Sequence, residues 1–444
     1  MRCCSCDRRN TPALTAYATF FMLVAWAGAP VSAAGADAPG SRPAGRNAPQ
    51  VTVLDLSGRT SKGRLVQVDL PGAIQLDADG KLAEIPAGQF VWLGLEPPPP
   101  ADPVVVQWFS DPPVPIRDKP EPAVHVRLDL RDGQVLAGML RAMTKPDALA
   151  FEHRLLGRMD VPFNQVGRIR VQTEPPGPST RVILPEPAAF DVLWLANGDR
   201  VEGILHSVDS DEIVVELASG QQVRTPTRSA QVIQLAAVPA PTTAAASRPA
   251  PMAAWLRLRD GQRIAASRVG WDPAGPAATF PFQGRPIVVP AGQLEGIEPV
   301  TVKWQWLTDL PAAGYEHHPG LAPPLKWQVD ATAAGSRIYC DGSPVPHGLG
   351  MPAGSTIRFN LGGAYSRLLV WPILDDSAGI DGLGKARILT DGEPQWEGTV
   401  KALAQPTAVV VDLAGKRELV LRVEPSDGGD VLTRFVWSWP VLVR

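Results

Sequence analysis

Cysteine is scarce in this sequence, with four residues in 444. Cys3, Cys4 and Cys6 precede an apolar run at residues 13–29, and Cys340 is the fourth. If the first residues are removed on export, Cys340 remains alone and an intrachain disulfide is excluded. The three early cysteines have no histidine at metal-ligand spacing, so we expect no metal site there. Core burial must therefore hold the fold together.

The sequence also lacks a strong excess of either positive or negative charge, and it lacks the motifs of common catalytic sites. The formal net charge is only −3, and a weakly acidic surface of mixed sign argues against nucleic acid as a partner. No nucleophile elbow, Walker loop or HExxH motif is present, and we expect no catalytic activity. Outside residues 13–29 no apolar run is long enough to span a membrane, so no transmembrane segment is expected after cleavage.

The N-terminus has the three parts of a secretory signal peptide. Arg2, Arg8 and Arg9 precede the apolar run, and small residues follow it at residues 31–36. This order predicts a signal peptide at residues 1–33, cleaved after Ala33 or Ala36, with an uncleaved anchor as the alternative. We therefore expect a secreted, periplasmic or cell-envelope protein.

Proline is abundant, at 47 of 444 residues, and is concentrated in a few stretches. These predict semi-extended linkers at residues 96–123, 174–190 and 238–253, in addition to a disordered linker at residues 34–50. Between them lie four similar segments, predicted as β-repeats at residues 51–95, 124–173, 191–237 and 254–300.

Each repeat begins with an alternating strand that ends at a turn glycine. The corresponding sequences are LDLSGRTSKGRLVQV, LDLRDGQVLAGMLRAM, LWLANGDRVEGILHSV and LRLRDGQRIAASRVGW. The Asp-Gly and Asn-Gly pairs at residues 132, 197 and 260 predict type I′ hairpin turns, with positive φ at both central residues. The first three repeats have a second glycine in the returning strand, at Gly63, Gly138 and Gly203, and the fourth repeat has Ala266 at the equivalent position. This second glycine predicts a bend or bulge in the strand.

About five short strands in some 45 residues favour a small curved sheet or an SH3/Sm-like barrel for each repeat. We interpret these repeats as spacer or protein-contact modules. The remaining residues, 306–444, contain alternating strands typical of a sandwich. The predicted fold class is therefore all-β, with several small barrel-like repeats followed by a jelly-roll-like β-sandwich.

Residues 306–444 resemble a known family, the NPCBM domain, a carbohydrate-binding module associated with glycosyl hydrolase family 98. The resemblance rests on the order and spacing of short motifs. They are His347-Gly348-Leu349-Gly350, Phe359-x-Leu361, I-x-D-D from Ile373, Asp391-Gly392 followed by Trp396 and Gly398, V-D-L-x-G-x-x-x-L from Val411, and Trp437. The preceding residues 307–317 are similar to a segment found before this domain in large secreted bacterial proteins of planctomycete type.

The resemblance implies a jelly-roll-like sandwich that binds a glycan or polysaccharide. Sugar recognition needs an aromatic face beside converging polar groups. The candidates for stacking are Trp371, Trp396, Trp437 and Trp439, and those for hydrogen bonding are Asp375, Asp376 and Arg434. The alternative for Trp371 and Trp437 is a place in the core, whereas Trp396 follows a hairpin turn and is expected at the surface.

Two alternatives stay open. Asp375 and Asp376 could instead bind Ca²⁺, although adjacent carboxylates cooperate only in a loop, and no other cofactor is expected. The protein could also be an envelope interaction or scaffold protein that contacts other envelope proteins and whose sandwich has lost sugar binding. Met351-Pro352 and residues 433–436 favour this second alternative, because the family more commonly has polar side chains there.

Overall fold

The computed structural model describes residues 48–96, 124–143, 145–172, 189–236, 252–272, 277–318, 325–425 and 434–444. The predicted signal peptide lies outside these residues, as do the predicted linkers except for a few flanking positions. Within the described part, antiparallel strands dominate, and the helical turns are 3-10 turns of three residues. The predicted all-β class is confirmed. No helix in these ranges is long and apolar enough to cross a membrane.

The first group of strands, unit 1, contains five strands and one 3-10 turn at Ala87–Gln89. The strands are β1 Gln50–Asp55, β2 Thr60–Leu70, β3 Ala73–Ala78, β4 Lys81–Pro86 and β5 Phe90–Leu95. The first strand pairs with both β2 and β5, and β2 to β4 follow as a meander. A register shift in β2 at residues 65–67 bends the strand, which is how such a short sheet curves onto itself.

Three further units repeat this pairing order. Unit 2 contains β6 Val124–Leu130, β7 Val135–Leu140, β8 Ala148–His153, β9 Gly157–Pro162 and β10 Val166–Gln172. Unit 3 contains β11 Asp191–Leu195, β12 Arg200–Val208, β13 Glu212–Glu216, β14 Gln222–Pro226 and β15 Ala230–Gln234. Unit 4 contains β16 Ala254–Leu258, β17 Arg263–Ala266, β18 Val269–Asp272, β19 Ala277–Phe282, β20 Arg285–Pro290 and β21 Leu294–Pro299. Their 3-10 turns are Phe163–Gln165, Thr227–Ser229 and Ala291–Gln293.

The hairpin turns lie where the sequence predicts them, but the predicted turn type is wrong. Gly133 has φ +91°, whereas Asp132 is not among the residues with positive φ. The Asp132 carboxylate instead accepts a hydrogen bond from the Gln134 amide at 3.0 Å. Asn197 and Asp260 make the same contact two residues ahead. This side-chain bond stabilises the turn with only one left-handed residue, the glycine.

The second glycine of each hairpin lies where two backbones approach closely. A Cβ added at Gly203 would lie 2.2 Å from the Glu216 carbonyl oxygen, and one at Gly138 would lie 2.3 Å from that of Glu152. No side chain fits at such distances, so glycine is required. In unit 4 this position is Ala266, and there the second strand is divided into β17 and β18.

The four units are joined by hydrogen-bonded strand pairs. The last strands pair as β5 with β21 and as β10 with β15. Shorter pairings join β2 with β18 and β7 with β17. All 21 strands thus belong to one continuous sheet, and one cluster of buried apolar side chains runs through all four units.

The remaining strands form a sandwich. In chain order they are β22 Trp304–Trp306, β23 Ala312–His317, β24 Gln328–Val329, β25 Tyr339–Cys340, β26 Ser343–Pro344, β27 Gly348–Met351, β28 Ser355–Asn360, β29 Arg367–Leu374, β30 Leu383–Thr390, β31 Glu393–Lys401, β32 Val409–Asp412, β33 Glu418–Glu424 and β34 Phe435–Val443. Two 3-10 turns, Leu307–Asp309 and Asp376–Ala378, interrupt them.

Two sheets face each other in this sandwich. One has the order β24-β27-β34-β29-β32, with β22 also paired to β34, and the other has the order β23-β28-β33-β30-β31. The space between them is filled by one apolar cluster that includes Phe359, Leu368 and Trp437. The strands β25 and β26 form a separate small hairpin. The predicted jelly-roll-like sandwich is confirmed.

Candidate functional site

Trp437, one of the predicted stacking residues, belongs to the core. Its side chain is 0% exposed. Its ring centroid lies 5.0 Å from that of Phe435 and 5.8 Å from that of Trp396. A ring packed on all sides offers no face to a ligand, so Trp437 takes the alternative role that the sequence allows.

Trp371 and Trp439 lie on the outer face of the same sheet, and unit 1 covers that face. The Trp439 ring centroid is 5.5 Å from that of Trp92 in unit 1. The Trp371 ring lies beside the turn glycine Gly58, where an added Cβ would be 3.3 Å from it. Both tryptophans therefore take part in packing between the sandwich and unit 1.

Trp396 differs from the other three tryptophans because it lies on the edge strand β31. It is half-buried, it lies over Gly398, and its ring makes an edge contact with Trp437. A Cβ added at Gly398 would be 2.4 Å from the Trp396 ring, so the glycine provides the space in which this indole lies flat.

The two predicted acids hold a hairpin. Asp375 is 3% exposed, and its carboxylate accepts hydrogen bonds from the Tyr339 amide at 2.8 Å and the Ser377 amide at 3.0 Å. The Asp376 carboxylate accepts from the Asp341 and Gly342 amides at 2.9 and 2.8 Å. These bonds fasten the hairpin formed by β25 and β26 to the sandwich.

The seven predicted residues do not form one site. The Arg434 carbonyl accepts a hydrogen bond from the Asp375 amide at 2.9 Å, while the four tryptophans are divided between the core, the unit 1 contact and the edge strand. Among the described residues, no group of three or more histidine, cysteine, aspartate or glutamate side chains is arranged to hold a metal ion.

The sandwich joins the barrel-like units through a region we call the seam. From unit 1 it contains Leu54, Val91 and Trp92, and from the sandwich it contains Trp304, Trp306, Leu369, Val441 and Val443. The sheet that carries β34 is thus covered on both faces, by the second sheet on one side and by unit 1 on the other. At about 25 cal/mol for each Å² of apolar surface removed from water, such a contact resists separation of the two parts.

A buried ionic network continues the seam into unit 4. Glu298 on β21 is 0% exposed. Its carboxylate pairs with the Arg257 guanidinium, lies 3.0 Å from Arg263 Nη2, and lies 3.0 Å from His347 Nε2 of the sandwich. The Trp306 and His347 rings stack with their centroids 3.9 Å apart.

A second carboxylate completes the network from the sandwich side. Arg257 Nη2 donates to Asp330 Oδ2 at 2.8 Å. Burial by itself would raise the pKa of Glu298, but the neighbouring His347, Arg257 and Arg263 charges lower it well below its usual value. The network therefore keeps Glu298 ionised inside the protein, where a lone carboxylate would take up a proton.

An open groove runs along the same junction. It has a volume of about 1470 Å³ and is enclosed by units 2 and 4 and by the start of the sandwich. Residues 129–135 of unit 2 form one wall, Trp255 and Arg263 another, and residues 304–315 and 326–329 the third. No residue of this groove is among those predicted from the sequence, because its walls come from segments nearly 200 residues apart in the chain.

The fold places residues 304–443 in the class of jelly-roll-like β-sandwich modules. Residues 303–443 match the model of the NPCBM/NEW2 domain. The resemblance seen in the sequence is therefore confirmed for this part of the chain. A search among curated proteins gives no match.

Solved structures with some likeness include carbohydrate-binding modules. One is CBM51 from Clostridium perfringens GH95 in complex with methyl-galactose, at 20% identity and TM-score 0.29, covering 32% of this chain and 99% of that one. Another contains the tandem CBM51 modules of a family 98 glycoside hydrolase from Streptococcus pneumoniae, at 12% identity and TM-score 0.28, covering 72% of this chain and 88% of that one. TM-scores this low carry no argument about function.

Proposed function

We propose that this protein is an exported, non-catalytic protein that binds carbohydrate through its NPCBM sandwich. The observation that carries the proposal is the match of residues 303–443 to the NPCBM/NEW2 domain. The two-sheet sandwich supports it, because such a fold presents edge strands and loops on a rigid frame. Export is supported by the signal-peptide pattern of residues 1–33.

Trp396 is the proposed stacking residue. Of the four predicted tryptophans, it alone lies on an edge strand and outside the seam, and its ring packs against the sandwich core while remaining only half-buried. Its indole is held flat over Gly398, and a fixed aromatic ring can stack on the apolar side of a pyranose with little loss of side-chain entropy.

A glycan array probed with the mature protein tests this function, followed by calorimetric titration of the glycans that bind. We expect binding of at least one glycan, no new reducing ends when the protein is incubated with it, and an affinity lowered about tenfold or more by Trp396→Ala. Trp194→Ala in unit 3 is the matched control and should leave the affinity unchanged. An array without any bound glycan refutes the proposed function, and release of sugar refutes its non-catalytic part.

A second candidate function, an interaction protein of the envelope, has one observation in its favour. Among the described residues of the sandwich, the most exposed large apolar side chains are Ile380 at 78%, Leu403 at 71% and Val410 at 58%. Exposed apolar side chains of this size are typical of protein contacts when they are contiguous. Capture of one stoichiometric partner that is lost in a triple serine variant, without any response to sugars, would favour this function over the first.

A further inference from the structure

We propose that the groove between units 2 and 4 and the sandwich is a binding site for an acidic glycan chain. This site is separate from the Trp396 surface and does not depend on sugar binding there. At about 1470 Å³, the groove exceeds the roughly 300–1,000 Å³ of sites for single small molecules. Its size therefore fits an extended ligand.

The charges of the groove favour an acidic ligand. Its lining contains the five basic side chains Arg131, Arg168, Arg263, Lys326 and Arg444 and the three acidic ones Asp129, Asp132 and Asp309. The lining of the groove therefore has an excess of positive charge, although the chain as a whole has a net charge of −3. A cleft with local charge opposite to that of the whole surface concentrates ligands of the other sign.

Two of the three acidic side chains of the groove, Asp129 and Asp309, are already compensated by arginines. Asp129 accepts two hydrogen bonds from Arg170, at 2.9 and 2.8 Å, and Asp309 lies 3.5 Å from Arg263 Nη1. Lys326 is exposed and has no ion pair to a described residue, and Arg131 donates to the carbonyl of Ala236. The net charge presented to a ligand is therefore positive, despite the exposed Asp132 carboxylate.

The aromatic residues of the groove favour a glycan among acidic ligands. Trp327 and Tyr315 line the groove on the sandwich side and are half-buried. The Tyr315 hydroxyl donates to the Leu325 carbonyl at 3.0 Å, which fixes this ring next to Trp327. Trp255 also lines the groove but is 8% exposed, with the Arg263 guanidinium 4.1 Å from its ring centroid. Fixed rings beside guanidinium and ammonium groups suit a pyranose chain that bears carboxylates or sulfates.

A nucleic-acid strand fits the same groove less well. Channels for single-stranded nucleic acid are lined with basic side chains that follow the phosphates. Here Asp132 is exposed on the wall, and within the described ranges its carboxylate accepts hydrogen bonds from the backbone and side-chain amides of Gln134, with no basic partner. A nucleic-acid backbone carries a negative phosphate at every nucleotide, so one of them would lie close to this carboxylate. A glycan with a charge on only some of its sugars can place a neutral sugar there.

The test uses the mature full-length protein and matched pairs of glycans. The probes are uronic-acid and sulfated oligosaccharides, each compared with its carboxyl-reduced or desulfated form, together with oligothymidylate. We expect acidic members to bind at least about tenfold more tightly than their neutral forms, and this preference to fall when NaCl is raised from about 50 mM to about 500 mM.

Substitutions inside and outside the groove test where the acidic glycan binds. Lys326→Glu should lower the affinity for the acidic probe about tenfold, whereas Lys401→Glu, the same charge change on β31 outside the groove, should not. Trp327→Ala should lower it similarly and Trp327→Phe much less, which separates loss of stacking from loss of folding. Equal binding of neutral forms, preference for oligothymidylate, or acidic binding unaffected by Lys326→Glu and Trp327→Ala would overturn this inference. Loss of binding only in Trp396→Ala would support the proposed function and refute the groove.

Discussion

The buried carboxylate of Glu298 gives the sharpest test of how the sandwich is joined to the barrel-like units. In Glu298→Gln the side chain keeps its shape and one acceptor oxygen but loses its charge. Arg257, Arg263 and His347 then face a neutral amide inside the protein. Breaking a buried ion pair on one side costs about 3–5 kcal/mol, because the remaining charge is left without compensation.

The structure indicates the lower part of that range. Arg257 keeps Asp330 at 2.8 Å, and Arg263 keeps the partly exposed Asp309 at 3.5 Å. We therefore expect Glu298→Gln to lower the free energy of unfolding by about 3 kcal/mol. Urea unfolding followed by tryptophan fluorescence measures this well, because Trp306 and Trp439 lie beside the network.

The control is Glu397→Gln, which removes an exposed pair with Arg387 at 3.2 Å. Surface pairs of this kind contribute about 0–1 kcal/mol, so this variant should be close to wild type. If the unfolding free energy of Glu298→Gln also lies within about 0.5 kcal/mol of wild type, the carboxylate contributes nothing net to the joint, which would refute this prediction.

The effect also has a defined dependence on pH. The folded protein holds the pKa of Glu298 well below its ordinary value of 4.5. Its stabilising contribution is therefore present above about pH 4.5 and is lost as the pH falls from there through the lowered folded-state pKa. The difference in unfolding free energy between wild type and Glu298→Gln should shrink over that acidic window. A difference that grows there would contradict the assigned pKa direction.

Three more predictions concern local structure. Gly203→Ala should destabilise the protein by about 1–3 kcal/mol in urea unfolding, since its Cβ would lie 2.2 Å from the Glu216 carbonyl oxygen, while Gly292→Ala, with open space around it, should not. Asp375→Ala should lower the free energy of unfolding by about 1–2 kcal/mol, because it removes the cap of the 3-10 turn at Asp376–Ala378 and the hydrogen bond from the Tyr339 amide. The control, Asp381→Ala at an exposed position, should leave it unchanged. Burial, together with the charges of Asp376, Asp341 and Asp375, raises the pKa of the Cys340 thiol to about 11. Alkylation of this thiol at about pH 8 should therefore be slow in the folded protein and fast in urea, as measured by peptide mass spectrometry. Equal rates would refute the burial of this thiol.

The sequence predicts the strands and turns well, because those depend on neighbouring residues. The turn glycines Gly58, Gly133, Gly198 and Gly261 all have positive φ, as hairpins at these positions require. The turn type is missed because the side chain of the preceding Asp or Asn bonds to the amide two residues ahead. This side-chain hydrogen bond is also local, but an Asp-Gly or Asn-Gly pair is compatible with either turn, so the pair alone does not reveal it.

The site residues are less predictable, because their environment comes from distant segments. Trp437 and Trp439 are two residues apart and would share one face of a regular strand. The register of β34 against β29 shifts between Leu369 and Trp371, and Trp439 has φ +50°. This irregularity turns Trp439 to the outer face, while Trp437 stays in the core. Alternation alone cannot reveal such a shift.

The role of unit 1 as a cover is equally hidden from the sequence. Nothing near Trp371 in the chain indicates that the Gly58 turn, more than 300 residues earlier, lies against its ring. The same holds for Glu298 and His347, whose pairing joins unit 4 to the sandwich. The predicted signal peptide, the predicted repeats and the family resemblance each depend on a continuous segment of the sequence, whereas the seam is a property of the folded chain.

The place of β34 in the seam has a consequence for how the chain folds during synthesis. Val441, Val443 and Trp439 complete the apolar contact with Leu54, Val91 and Trp92, yet they are synthesised nearly 390 residues after Leu54. Contacts with such large sequence separation form late and slow folding. The apolar face of unit 1 stays uncovered until β34 is in place, so a chain truncated before residue 435 exposes a surface prone to aggregation.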